Sequence, residues 1–287
     1  MPLYRRQRPS PMGAGRRPRM GKGRLMIALV IAVISLFTYY SSRQENPITG
    51  EVQYVRMSPD QEIAMGLQAA PQMAAQHGGL HPDERARALV EQIGQRLVSQ
   101  TAAAKSPYQF QFHLLADPQT VNAFALPGGQ VFITSALLSQ LETEGQLAGV
   151  LGHEIGHVIA RHGAEHLAKA TLTQGLTGAA VIATYDPQNP ASQKSAAVIA
   201  ALGQLVNMKF GRDDELESDR LGVILTAESG YDPRSLIGLM EILARAGGGQ
   251  RPPEFFSTHP NPERRVERIE QSIRDAYPNG LPPGLVP

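Results

Sequence analysis

Cysteine is absent from this 287-residue chain. That excludes a disulfide framework, a thiol nucleophile and a lipidated Cys behind the first apolar run, and it is compatible with an oxidising compartment. Acidic residues are missing from residues 1–24, where Arg5, Arg6, Arg8, Arg16, Arg17, Arg19, Lys22 and Arg24 lie. The formal net charge is only +1, so the rest of the chain is net acidic. A nucleic-acid module would carry its positive charge on the folded part, so no nucleic-acid partner is expected.

Charge of either sign is missing from LMIALVIAVISLFTYYSS, residues 25–42. A helix of that length reaches about 27 Å, close to the ~30 Å hydrocarbon core. Tyr39 and Tyr40 suit an interfacial position. The expectation is a single transmembrane anchor over 25–42 with the basic tail in the cytoplasm and the remainder across the membrane. A cleaved signal peptide is the alternative, although the apolar run is long for one and no A-x-A-like site follows. An Arg-rich, acid-poor start also resembles a mitochondrial transit sequence, but Pro9, Pro11 and Pro18 oppose the amphipathic helix it needs.

What is present after the anchor reads as a linker, 43–57, followed by one mainly helical domain with a small sheet, 58–287 (α+β). Ser58-Pro59-Asp60-Gln61 is a capping box with Pro at the first helical position, and the helix runs to about 77. HGGLHP breaks it, and a second amphipathic helix covers about 82–101. YQFQFHLL, 108–115, alternates as a strand does, and AFAL and QVFIT flank the turn Pro127-Gly128-Gly129. Thr143-Glu144-Gly145-Gln146 is another capping box. Residues 167–207 are small and apolar, interrupted by YDPQNPASQK, and suit core or lid helices better than a membrane hairpin. Later helices start near Asp213, Asp232-Pro233 and Asn261-Pro262. No repeat is visible.

The chain has eight histidines, and four of them lie in LGHEIGHVIARHGAEH, 151–166. His153-Glu154-Ile155-Gly156-His157 is H-E-x-x-H. On a helix, His153 and His157 project about 40° apart on one face, so two neutral imidazoles can grip one Zn²⁺. Glu154 is rotated by about 100° and is placed to take a proton from a water rather than to ligate. Leu147, Val150, Leu151, Ile155, Val158 and Ile159 surround the motif, which argues against a solvated polar face. Gly156 leaves space beside the metal position. His162 and His166 fall on the opposite side of a straight helix and read as surface or supporting histidines rather than a second metal site.

A zinc hydrolase site needs a third protein ligand and an open position. Ala160 and Gly163 stand where the H-E-x-x-H-x-x-G-x-x-H pattern requires Gly and His, so that ligand comes from elsewhere. In Asp213-Asp214-Glu215-Leu216-Glu217-Ser218-Asp219, Glu215 and Asp219 share a helical face and Glu217 points elsewhere. One of the pair suits ligation and the other suits holding a ligand imidazole by its free N–H.

HEIGH with E-L-E-S-D-R-L-G some sixty residues on resembles the M48 family of membrane-associated zinc endopeptidases. NAFALPGGQVFIT, from Asn122 to Thr134, and FFSTHPNPERR, from Phe255 to Arg265, resemble further segments of that family in the right order. The resemblance covers roughly 58–275. It implies a zincin-like core with the HExxH helix central, and one Zn²⁺ per chain held by His153, His157 and Glu215. It implies Asp219 as the carboxylate behind a ligand, Glu154 as the base, and an edge strand of Asn122, Ala123, Phe124, Ala125 and Leu126 that pairs with an extended substrate. It further implies that His259 and Arg265 approach the metal, either stabilising an oxyanion or, for His259, plugging the open position. Ser218 stands where the family's E-x-x-A-D pattern has Ala, a small-for-small change. The single span departs from multi-span members. The resulting expectation is a membrane-anchored endopeptidase acting on unfolded or misfolded proteins. Its domain would lie on the periplasmic side of the inner (cytoplasmic) membrane, with the mitochondrial inner membrane as the alternative. A tethered chaperone or scaffold with a structural or latent zinc site is the second reading.

Overall fold

A computed structural model describes residues 22–184, 210–246, 254–259 and 264–287. Helix α1, Lys22–Tyr40, is apolar around most of its circumference and long enough to cross a bilayer. Leu25, Met26, Ile27, Leu29, Val30, Val33 and Phe37 are exposed on it. The stretch expected as a linker is ordered. Strands β1, Arg43–Glu45, and β2, Val52–Tyr54, form an antiparallel ribbon with Gln44 opposite Gln53.

Helix α2, Pro59–Gln76, opens with the predicted box: Ser58 accepts from the Gln61 N–H and the Gln61 side chain accepts from the Ser58 N–H. Gly78 and Gly79, both at positive φ, end it. Helix α3, Glu84–Ser99, is capped by Asp83. Three strands follow: β3, Gln111–Leu115; β4, Ala123–Leu126; and β5, Gln130–Thr134. The first starts three positions later than alternation suggests, although Tyr108 and Phe110 still reach the core. The order is β3-β5-β4, with β3 parallel and β4 antiparallel to β5. All of β5 is buried, as befits a central strand, and β4 is the edge.

A short helix α4, Ser135–Leu138, leads to α5, Glu144–Ile159. Thr143 caps α5 through the Gln146 N–H, but the box is not closed. The Gln146 side-chain Oε1 accepts from Glu142 N instead, at 2.6 Å. Every residue of α5 from Gly145 to Ile159 is buried. A helix apolar on all sides belongs inside, and α5 is the central rod of the fold. It packs on α3, β4 and β5, and on helices α7, Arg212–Glu228, and α8, Ser235–Ala246.

The helix does not stay straight beyond this rod. Arg161 adopts φ 61°, so α5 stops at Ile159 and α6 begins afresh as His162–Thr184. Arg161 is held there by Glu62, with Nε–Oε1 3.0 Å and Nη2–Oε1 2.6 Å, and by the Met57 carbonyl at 2.7 Å. Asn46 of the ribbon closes the junction by donating to the Ile159 carbonyl at 2.8 Å. Helix α6 then runs alongside α1, with Gly175 against Ser35. The second half of the small, apolar region, 185–209, lies outside the described residues. A one-turn helix α9, Phe255–Thr258, and α10, Arg265–Ala276, complete the chain. The expected start of the last helix at Asn261-Pro262 lies outside the described residues; α10 follows Arg264, which is at φ 61°.

Candidate metal centre

Helices α5 and α7 approach closely because glycines face each other's backbones. A Cβ at Gly156 would lie 3.1 Å from the Ser218 carbonyl oxygen and 3.2 Å from its Cα. One at Gly222 would lie 3.2 Å from His153 N. Gly156 therefore serves helix contact rather than room beside a metal, and that contact brings Glu215 to the imidazoles.

His153 Nε2 and His157 Nε2 are 3.1 Å apart. Glu215 Oε2 is 3.6 Å from His153 Nε2, and Oε1 is 3.4 Å from His157 Nε2. His259 joins them, its Nδ1 3.0 Å from Glu215 Oε1 and 3.4 Å from His153 Nε2. One ligand atom from each of these four buried residues lies within 4.8 Å of the others. Phe255 stacks on the His259 ring at 4.6 Å and fixes it in the site.

Asp219 lies on the far side of His153, Oδ1 3.0 Å from Nδ1. Arg265 grips Asp219 with two bonds of 2.8 Å and reaches Glu215 Oε2 at 3.3 Å. Arg265 thus stands behind His153, with Nη2 3.5 Å from its Nδ1, and touches the Glu215 carboxylate. Glu154 Oε1 is 3.5 Å from His259 Nε2.

Burial dominates the electrostatics here. It pushes the Glu154 carboxyl up, more than His259 and His153 pull it down, so its proton affinity is raised. Burial also pushes Glu215 up, but the neighbouring imidazoles of His157, His259 and His153 outweigh it and hold the carboxyl below the usual range. Burial lowers His157 well below the ordinary imidazole range and keeps it neutral. Asp219 is held low by Arg265 and His153 against its burial.

Both oxygens of Glu154, Oε2 of Glu215 and Nε2 of His259 are buried without a hydrogen-bond partner among the described residues. Such orphans are costly unless something satisfies them. Two imidazole nitrogens with converging carboxylate oxygens form a donor set suited to Zn²⁺, so the residues present fit that ion.

The second histidine pair departs from expectation. The break at Arg161 swings His162 inward, where it is buried with Nδ1 2.9 Å from His157 Nδ1. Its Nε2 is 3.3 Å from Glu217 Oε2, so Glu217, which stays out of the ligand cluster, meets the outer imidazole instead. Ser218 is more than a small-for-small change: its Oγ is 3.3 Å from His162 Nδ1. His166 pairs with Asp214 at 3.0 Å. Phe210, which sequence reasoning missed, stacks on His157 at 4.2 Å. Gly163, next to the break, was the one available signal for the turn.

The edge strand flanks this cluster. Ala125, Leu126, Pro127, His157 and Phe210 line one cavity beside it. Asn122 differs from its neighbours, because Thr134 occupies its backbone N–H and carbonyl. The free edge consists of β4 itself.

Comparison with known proteins agrees with this geometry. The model of peptidase family M48 matches residues 84–273. The chain is 32% identical over 256 residues to the beta-barrel assembly-enhancing protease of Escherichia coli K12, covering 84% of this chain and 50% of that protein. It is 33% identical over 229 residues to the Yersinia pestis protein of the same name, covering 78% and 46%. It is 29% identical over 241 residues to the mitochondrial metalloendopeptidase OMA1 of Schizosaccharomyces pombe, covering 83% and 68%. The chain spans about half the length of the bacterial relatives it matches.

Proposed function

The chain belongs to peptidase family M48, and on that premise we propose that it is a zinc endopeptidase cutting unfolded or misassembled proteins at a membrane. The observation that carries the reading is the convergence of His153, His157 and Glu215 from two helices, with Glu154 beside them. His153, His157 and Glu215 would hold the ion, one per chain. When bound, zinc supplies Lewis acidity that lowers the pKa of water and polarises a carbonyl.

The chain's own residues do the rest. Glu154, with its raised proton affinity, accepts a proton from the attacking water and delivers it to the departing amine. Asp219 orients His153 through Nδ1, and Arg265 holds Asp219 in place. An extended peptide adds to the free edge of Ala123–Leu126 through backbone hydrogen bonds, which gives loose sequence selectivity. His259 lies among the ligands, close to both Glu215 and Glu154, which supports a plug at the open corner over an oxyanion donor. The resting chain then keeps only low activity.

Helix Lys22–Tyr40 supplies the anchor, and the basic residues before it orient the domain outward from the cytoplasm. This favours the periplasmic side of a bacterial inner membrane. The test is Glu154→Gln in the full chain: bound zinc stays at one per chain, and casein cleavage disappears. Cleavage that persists sinks the reading.

A further inference from the structure

We propose that His162 is a positioning residue that, backed by Glu217, fixes the proton of His157 on Nδ1 and leaves Nε2 free for a metal. The inference deepens the zinc-peptidase reading and rests on it for its purpose, though not for its geometry.

His157 turns Nε2 toward His153 and Glu215, and Nδ1 toward His162. A neutral imidazole carries one N–H. If it lies on Nδ1, it donates to His162 Nδ1 across 2.9 Å and Nε2 keeps its lone pair for an ion. His162 must then carry its own proton on Nε2, and that nitrogen faces Glu217 Oε2 at 3.3 Å. A carboxylate accepts and does not donate, so Glu217 selects this tautomer. The opposite arrangement, with His162 donating to His157, puts the His157 proton on Nε2 toward Glu215 Oε1 at 3.4 Å, where it occupies the nitrogen and the carboxylate an ion would need. It also sets a lone pair against Glu217.

The two imidazoles of the motif are therefore held by different chemistry. His153 has an anion behind it, Asp219, braced by Arg265. His157 has a second imidazole, with the anion one ring further out. His162 is 2% exposed, and Phe210 stacks on His157, so water does not replace the acceptor cheaply. The inward turn at Arg161 is what delivers His162 to this place.

Zinc affinity of the full chain, measured by competition with a chelator in a Glu154→Gln background, tests the proposal. His162→Leu removes the acceptor and weakens zinc binding by about 10- to 100-fold, the usual loss when a ligand imidazole is deprived of its partner. His162→Asn keeps an acceptor at the δ position and restores most of that affinity. Melting of the zinc-free variants separates this effect from a fold defect. Unchanged affinity in His162→Leu, or equal losses in Leu and Asn variants of equal stability, overturns the proposal. Long-range proton–nitrogen correlation on the zinc-free chain gives the second readout. Protons on His157 Nδ1 and His162 Nε2 support it, and the reverse pair overturns it. A chain with those tautomers that binds no zinc would refute the peptidase reading and leave the positioning pair standing.

Discussion

Arg265 and Asp219 meet in a buried two-bond pair, Nε to Oδ2 and Nη2 to Oδ1, each 2.8 Å. The pair ties α10 to α7 across 46 residues of sequence and stands directly behind His153. Asp219→Asn preserves shape and removes the charge, leaving Arg265 with Glu215 alone. Removing one partner of a buried pair costs about 3 kcal/mol or more. Urea unfolding should show that loss, together with weaker zinc binding. Asp219 also sets a pH dependence. Its folded pKa lies below the unfolded value because Arg265 and His153 favour the anion over the effect of burial. Its contribution is therefore complete above the unfolded pKa of about 4 and is lost as pH falls through the folded pKa. Wild type should lose stability more steeply than Asp219→Asn on acidification below about pH 4.

His259→Ala should raise casein cleavage. The ring sits within the ligand cluster, 3.0 Å from Glu215, so its removal opens a corner to water and substrate. An oxyanion donor would instead cost about 10²–10³-fold in kcat. Initial rates at saturating zinc decide between the two, and a fall of that size rules out the plug.

Glu62 and Arg161 make another buried pair, at 1% and 8% side-chain exposure. Glu62→Gln should cost about 3 kcal/mol in urea unfolding, because Arg161 keeps its charge in a dry junction. Glu270→Gln is the control: its pair with Arg274 is 47% and 60% exposed, and its loss should lie within about 0.5 kcal/mol of zero.

The lack of cysteine makes the α1–α6 contact testable. A Cβ on Gly175 would lie 2.9 Å from Ser35 Cβ, so a shift of under about 1 Å between the helices brings the pair into the disulfide range of about 3.5–4.5 Å. Ser35→Cys with Gly175→Cys should lose both free thiols under mild oxidation of the full chain, as counted by maleimide labelling. Two thiols that stay reactive would show that the helices do not lie together.

The sequence made the site's nearest parts legible because helical spacing alone sets His153 and His157 side by side. The helix starts at Ser58 and Thr143 were equally plain, since their caps are local. Glu215 was reachable only by shared helical faces and resemblance. Its approach depends on Gly156 and Gly222, whose role as backbone contacts no spacing rule announces. His162 was misplaced, and its contact with Glu217 missed, for one reason: a single residue at φ 61° resets the angular count after Arg161. The strand order had the same limit, because β3 pairs in parallel with β5, beyond the hairpin that Pro127-Gly128-Gly129 marks.

Helix α6 has one end at the imidazole of His162 and its flank along α1. A stiff rod pinned at Arg161 by Glu62 behaves as a lever with its short arm in the metal site. A shift of α1 would therefore have a continuous path of packed groups, through α6 and His162, to the imidazole of His157.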